Sequence, residues 1–191
     1  GLINMHSHSP MVLFRGAADD LPLHRWLNEK IYPMEGRLDD EAVYWGSKLA
    51  IAEMIRGGTT CFNDMYFMGE NTVKAVEETG ISAVLTHCLT CFSEQEDEIA
   101  TELEKGRKFF KAYDGAAAGR IQVSISPHAE YTCPPALLRG CGEMAQEFGT
   151  VLHTHVSETR SEHMECIERH GKTPIQLLES LGVLDGHRAR P

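Results

Sequence analysis

Apolar and polar positions along the chain switch repeatedly between a two-residue and a three-to-four-residue period. The opening Gly1-Leu2-Ile3-Asn4-Met5-His6-Ser7-His8 starts with an apolar run that reads as a buried strand, with two histidines at alternate positions at its end. Residues 11–33 read as a long, partly helical connection, of the kind that serves as a lid or binding loop. Asp39, Asp40 and Glu41 then open a helix with an apolar stripe of Ala42, Trp45, Leu49, Ala50 and Met54, ended by Gly57-Gly58. A short β-rich run at 59–65 gives a second strand. A helix over 71–79, stopped by Gly80, leads to a third strand over 81–89, and a charged amphipathic helix spans 94–113. After a glycine-punctuated loop, residues 120–126 form a fourth strand that runs into Pro127-His128. Pro134-Pro135 starts a helix that closes at Phe148-Gly149, residues 150–156 give a fifth strand, and helices follow over 161–170 and 174–181. Strand and helix in strict alternation imply an α/β fold with a parallel sheet and helices packed outside it.

Composition narrows the function. The 191 residues are 42% hydrophobic and 24% charged, which suits one globular domain with a sizeable core. A net charge of −10 argues against a nucleic-acid backbone as partner. No apolar run reaches membrane-spanning length, so no membrane partner is expected. With no basic-then-apolar leader in the sequence, the six cysteines are expected to be free thiols of a cytoplasmic protein. Cys88 and Cys91 form a single CxxC, read as incidental because no second pair stands at zinc-ribbon spacing. The chain starts inside a strand and stops at Arg188-Ala189-Arg190-Pro191, so a longer protein is expected.

The informative polar residues fall at or just beyond the C-terminal ends of the predicted strands: His6 and His8, Asp64, His87, His128, and His155 with Glu158. In a (β/α)8 barrel that is the face where active sites are built. Taken singly, His87 or His128 is more simply a satisfied core or loop histidine, and Asp64 a turn or helix cap. His24, His163, His170 and His187 are expected in solvent. The second His-x-His, His153-Thr154-His155, changes the balance, because it is followed by Glu158. His153 sits one pleat deeper than His155, so His6, His8 and His155 are the candidate ligands of one divalent metal. Imidazole nitrogens suit Zn²⁺, and three of them leave a position for a water that the ion activates as hydroxide. Glu158 is then placed to move protons among water, substrate and leaving group.

Four stretches carry a family resemblance: residues 1–8, Gly58-Thr-Thr-Cys-Phe-Asn-Asp-Met65, Ser126-Pro-His-Ala-Glu-Tyr131 and His153-Thr-His-Val-Ser-Glu-Thr159. Together they resemble the amidohydrolase superfamily, in the branch of 5-methylthioadenosine/S-adenosylhomocysteine deaminases and triazine chlorohydrolases. The resemblance covers nearly the whole chain. It implies a (β/α)8 barrel of TIM type, of which residues 1–191 would be the N-terminal part with about the first five βα units. The flanking β-sandwich and last strands would lie outside this chain.

The resemblance also implies an aminohydrolase that replaces the exocyclic amine of an adenosine-type nucleoside and releases ammonia. His6, His8 and His155 would hold the metal, and Glu158 would protonate the purine ring nitrogen. His128 would contact the nucleoside, Glu35 would bind the ribose hydroxyls, and Trp26 would form part of the wall over the substrate. His87 stands where some members place an arginine for the homocysteine carboxylate, which favours methylthioadenosine or adenosine over S-adenosylhomocysteine. A further histidine and a metal-binding aspartate would lie beyond Pro191, and this chain alone is expected to be inactive. The resemblance also implies a homo-oligomer. Two other readings stay open: a chloro- or aminotriazine or other heterocycle hydrolase, and a non-catalytic barrel relative.

Overall fold

The computed structural model describes residues 1–185, and His187 falls outside them. In chain order the elements are β1 (Leu2–Ser7), a 3-10 helix (Ser9–Phe14), α1 (Leu23–Trp26), a π-helical turn (Leu27–Ile31), α2 (Tyr32–Glu35), α3 (Asp40–Arg56), β2 (Thr59–Asp64), α4 (Gly69–Thr79) and β3 (Ser82–Leu85). They continue with β4 (Cys88–Leu89), α5 (Glu96–Tyr113), the short coil α6 (Ala116–Gly119), β5 (Ile121–Val123), β6 (Ser126–Pro127), α7 (Pro135–Phe148), α8 (Arg160–His170) and α9 (Pro174–Ser180). The alternation read from the sequence is thus present as a mixed α/β chain with parallel strands. The chain divides into two compact units, one of residues 1–85 with 115–121, the other of 86–114 with 122 onward.

In the first unit, β1, β2 and β3 lie parallel in that order, with Asn4 opposite Phe62, Ser7 opposite Asp64, and Phe62 opposite Ala83. The β1–β2 register is irregular between Asn4 and Ser7, at the step that carries His6. Helices α3 and α4 pack on β2 and β3 and bury Phe62, Ala83, Leu85, Val43, Ile51 and Val76. The β1 run is not buried as its composition predicts: Leu2, Ile3 and Met5 are 65%, 64% and 71% exposed, because these helices cover β2 and β3.

Asp39 caps α3 by accepting the Ala42 N–H at 2.8 Å, as the acidic run predicts. The buried face of α3 differs from the predicted stripe. It consists of Val43, Gly46, Ser47, Ala50 and Ile51, and leaves Trp45 and Leu49 exposed. Two local contacts select that face. Ser47 Oγ lies 3.0 Å from Thr72 Oγ1 of α4. Gly46 meets the 3-10 helix so closely that a Cβ there would stand 2.8 Å from the Pro10 carbonyl oxygen.

In the second unit, β4 pairs with β6 in parallel, Cys88 opposite Ser126 and Leu89 opposite Pro127. Helices α5 and α7 cover this pair with Leu89, Ile99, Phe109, Leu137, Leu138 and Met144, and Phe110 stacks on Phe148 at 4.1 Å. Truncating Leu138 in such a core removes roughly 2–5 kcal/mol.

The predicted strands 81–89 and 120–126 are each broken in two. The predicted fifth strand is reduced to parallel bridges at Leu152 with Ile125 and at His155 with Ala129. Hydroxyls bond backbone carbonyls around these breaks: Thr150 Oγ1 donates to the Val123 carbonyl, Ser126 Oγ to that of His153, and Thr86 Oγ1 to that of His87. All six cysteines are free thiols, Cys88 and Cys91 included. Among the described residues, no helix is long and apolar enough to cross a membrane.

Candidate functional site

The first unit holds His6, His8, Asp64, Trp26 and Glu35 of the predicted set. The end of β1 and the turn after it bring the first two together: His6 Nε2 lies 3.2 Å from His8 Nε2, with the rings perpendicular. His8 Nδ1 stands 2.5 Å from the Met65 carbonyl. A carbonyl only accepts, so Nδ1 carries the proton and Nε2 carries the ring's lone pair. Burial lowers the His8 pKa, against a smaller opposing effect of the Met65 bond, which keeps the ring neutral and able to ligate. With Zn–N distances near 2.0–2.1 Å, two ligand atoms of a tetrahedral ion stand about 3.3 Å apart. The Nε2 pair therefore fits one edge of such a site.

Asp64, at the end of β2, fixes the backbone around this pair. Its Oδ1 accepts the Ser9 N–H at 2.7 Å and the Ser7 hydroxyl at 2.8 Å, and its Oδ2 accepts the Ser9 hydroxyl at 2.9 Å. The capping role expected of it thus falls on the turn that follows β1. Burial pushes its pKa up to about 6, while the bonds from Ser9 and Ser7 and the nearby His6 act the other way.

Glu35 ends α2 half-buried, and its Oε1 accepts the Tyr66 hydroxyl at 2.8 Å. Burial raises the Glu35 pKa and the Tyr66 bond partly offsets it. Burial and the facing carboxylate push the Tyr66 phenol well up, so it stays a donor. Trp26 is half-buried at the end of α1.

The second unit holds His87, His128, His155 and Glu158. His155 donates its backbone N–H to the His128 carbonyl at 2.9 Å, and its Nδ1 lies 3.0 Å from the same oxygen. By the argument used for His8, Nδ1 is the protonated nitrogen and Nε2 is the one suited to ligation. The His128 and His155 rings are 4.8 Å apart, and His128 Nδ1 bonds the Thr132 hydroxyl at 2.9 Å. His153 is tied to the strand before it, its N–H donating to the Ile125 carbonyl. Glu158 is exposed in the turn that precedes α8. His87 is half-buried, with its ring 6.3 Å from that of Phe109.

Of the histidines expected in solvent, His163 and His170 are half-buried, and His163 Nδ1 lies 3.1 Å from Ser157 Oγ in the Glu158 turn. A groove of about 740 Å³ in this unit runs past Cys91, Phe92, Glu98, Glu102 and Lys105 and includes none of the predicted site residues.

Sequence reasoning missed two residues. Tyr66 lies two residues past the end of β2, and the strand-end rule that selected Asp64 would have reached it. Glu162 stands three residues after Thr159, a spacing that reads simply as a helix-capping box.

The model of the amidohydrolase family matches residues 1–189, and the chain belongs to that family. Among curated relatives, it is 44% identical over 188 residues to the 5-methylthioadenosine/S-adenosylhomocysteine deaminase of Syntrophomonas wolfei, covering 98% of this chain and 43% of that protein. It is 45% identical over 184 residues to the 5'-deoxyadenosine deaminase of Methanothermobacter thermautotrophicus, covering 96% and 43%. Among solved structures, an adenosine deaminase from Xanthomonas campestris with bound zinc matches with a TM-score of 0.84 at 33% identity, over 96% of this chain and 42% of that one. The chain thus spans under half the length of these relatives.

Proposed function

We propose that residues 1–191 are the N-terminal part of a (β/α)8 barrel in a metal-dependent aminohydrolase. Its substrate is an adenosine-type nucleoside such as 5-methylthioadenosine, which loses its exocyclic amine as ammonia. The observation that carries this reading is the histidine chemistry. His6 and His8 turn their Nε2 atoms toward each other at 3.2 Å, and His8 and His155 each direct Nδ1 at a backbone carbonyl. A histidine that serves only as a core residue has no need of this tautomer, whereas a metal ligand does. The names of the relatives supply the substrate class.

His6, His8 and His155 are the residues that hold the ion, most simply zinc. The ion, when bound, supplies Lewis acidity and makes a water nucleophilic near neutral pH. Glu158 would take a proton from the attacking water and give it to the purine ring nitrogen, and would then carry a second proton, from the newly added hydroxyl, to the departing amine, which leaves as ammonia. His128 lines the reacting end of the nucleoside, Trp26 covers it, and His87 faces the 5' substituent.

Glu35 binds the ribose: with Tyr66 holding Oε1, Oε2 is left to accept a sugar hydroxyl. A bare triazine ring has no use for that carboxylate, so the pair favours a nucleoside. The test is Glu158→Gln in the full-length protein, assayed for ammonia release from 5-methylthioadenosine and for metal content. Turnover should fall by about 10²–10⁴-fold with the metal retained, and unchanged turnover would remove Glu158 from the role.

A further inference from the structure

Three backbone N–H groups converge on the carboxylate of Glu162. Ser157 donates to Oε1 at 2.8 Å, and Glu158 and Thr159 donate to Oε2 at 2.6 and 3.4 Å. A capping box requires only the last of these, together with the reciprocal bond from the Glu162 N–H to Thr159 Oγ1. The bonds from Ser157 and Glu158 go beyond helix capping, and the shortest of the three comes from Glu158 itself. Ser157 has φ 53, in the left-handed region that a serine seldom occupies. His163 Nδ1 meets the Ser157 hydroxyl at 3.1 Å on the same turn.

Burial separates the two carboxylates. Glu162 is 5% exposed, whereas Glu158 reaches solvent. The buried one holds the backbone from which the exposed one projects, and it sits in the first turn of α8. That helix is fastened at its far end too: Arg169 Nη2 donates to Glu130 Oε1 at 2.6 Å, and the Glu130 side chain is 2% exposed.

We propose that Glu162 is a positioning residue: by gathering the N–H groups of Ser157, Glu158 and Thr159 it fixes the left-handed turn that aims the Glu158 side chain. This rests on the reading of Glu158 as the proton-transfer group. The carboxylate is suited to the task because every group it faces in this turn is a donor that cannot rotate away. An amide of the same shape keeps one acceptor and sets its NH2 against one of the backbone donors.

The test is Glu162→Gln in the metal-loaded, full-length protein. Hydrogen exchange at the 157–159 amides should quicken by about tenfold or more, a local opening that needs no assay of activity. For 5-methylthioadenosine, kcat should fall by about 10–100-fold, the scale of a misplaced catalytic group. KM and metal content should stay unchanged. Arg169→Gln, which loosens the other end of α8, should lower the melting temperature and leave kcat as it is.

Unchanged exchange at 157–159 would overturn the proposal. An equal loss of kcat in Arg169→Gln would also overturn it, since Glu162 would then be only one of several struts of the helix. If Glu162→Gln fails to fold, Glu162→Asp, one methylene shorter, should fold with the same quickened exchange, and protected amides in that variant would count against the idea. Should Glu158→Gln retain turnover, the proton-transfer reading fails, while the exchange result still decides whether Glu162 holds the turn.

Discussion

The His6–His8 strand end and the Glu158 turn are both backed by a buried carboxylate, and the two carboxylates have different partners. Asp64 receives one backbone N–H and two serine hydroxyls. Glu162 receives three backbone N–H groups. A hydroxyl can reverse from donor to acceptor, and an N–H cannot. The network behind the histidines can therefore adapt to an Asp64 that gains a proton, in keeping with a pKa raised to about 6 by burial. The network behind Glu158 contains donors alone and has one arrangement. On the proposed roles, the difference is between two ways of holding site residues: an adjustable mount for the histidines proposed to ligate, and a fixed one for the glutamate proposed to transfer protons.

The strongest way to break this contrast is at the histidines. His8→Ala should weaken zinc binding by more than about 100-fold, above the 10–100-fold that losing an outer partner costs. Competition against a chelator measures it, and equal affinity in the variant would mean that the pair is no half-site.

Asp64→Asn comes next, read in the metal-free protein. The folded protein holds the Asp64 pKa up at about 6, against an ordinary aspartate value of 3.8. The native state therefore holds the proton more tightly, and the stability this gives is complete below pH 4 and lost as pH rises through 6. Asparagine has no such loss. The variant should gain on the natural protein by up to about 3 kcal/mol between pH 4 and pH 7, at about 1.36 kcal/mol for each pH unit that separates the two values. Urea unfolding at the two pH values gives the difference, and a pH-independent gap would show that Asp64 does not titrate in this range.

The smallest effect belongs to the other region. Thr159→Ala removes the reciprocal half of the capping box and should cost about 1 kcal/mol at any pH from 5 to 8. A markedly pH-dependent loss would blur the distinction drawn between the two carboxylates.

The sequence displayed its elements better than their faces. Two-residue alternation brought His6 and His8 together correctly, although His8 lies just past the end of β1 and caps the 3-10 helix that follows. Asp39 as a cap and Gly80 and Gly149 as left-handed helix stops were equally readable, since each answers a local demand of the backbone. The buried side of α3 was not readable. Ala42, Trp45 and Leu49 make a plausible stripe by period, and contacts with Pro10 and Thr72, distant in sequence, turned the helix another way. The stretch 150–156 has the composition of a strand, yet it is joined to its neighbour by isolated bridges and by hydroxyl bonds from Thr150 and Ser126. Glu35 gained a partner in Tyr66 that no spacing rule links to it.

Gly46 has a consequence for how this protein could be adapted to heat. Glycine inside a helix carries a deficit of about 1 kcal/mol against alanine, so exchanging the two is an ordinary thermostabilising step. In α3 the new methyl would arrive 2.8 Å from the Pro10 carbonyl, two residues beyond His8. Stiffening the helix and keeping the chain after β1 in place compete for the same few cubic ångströms, so added stability has to come from elsewhere in the molecule.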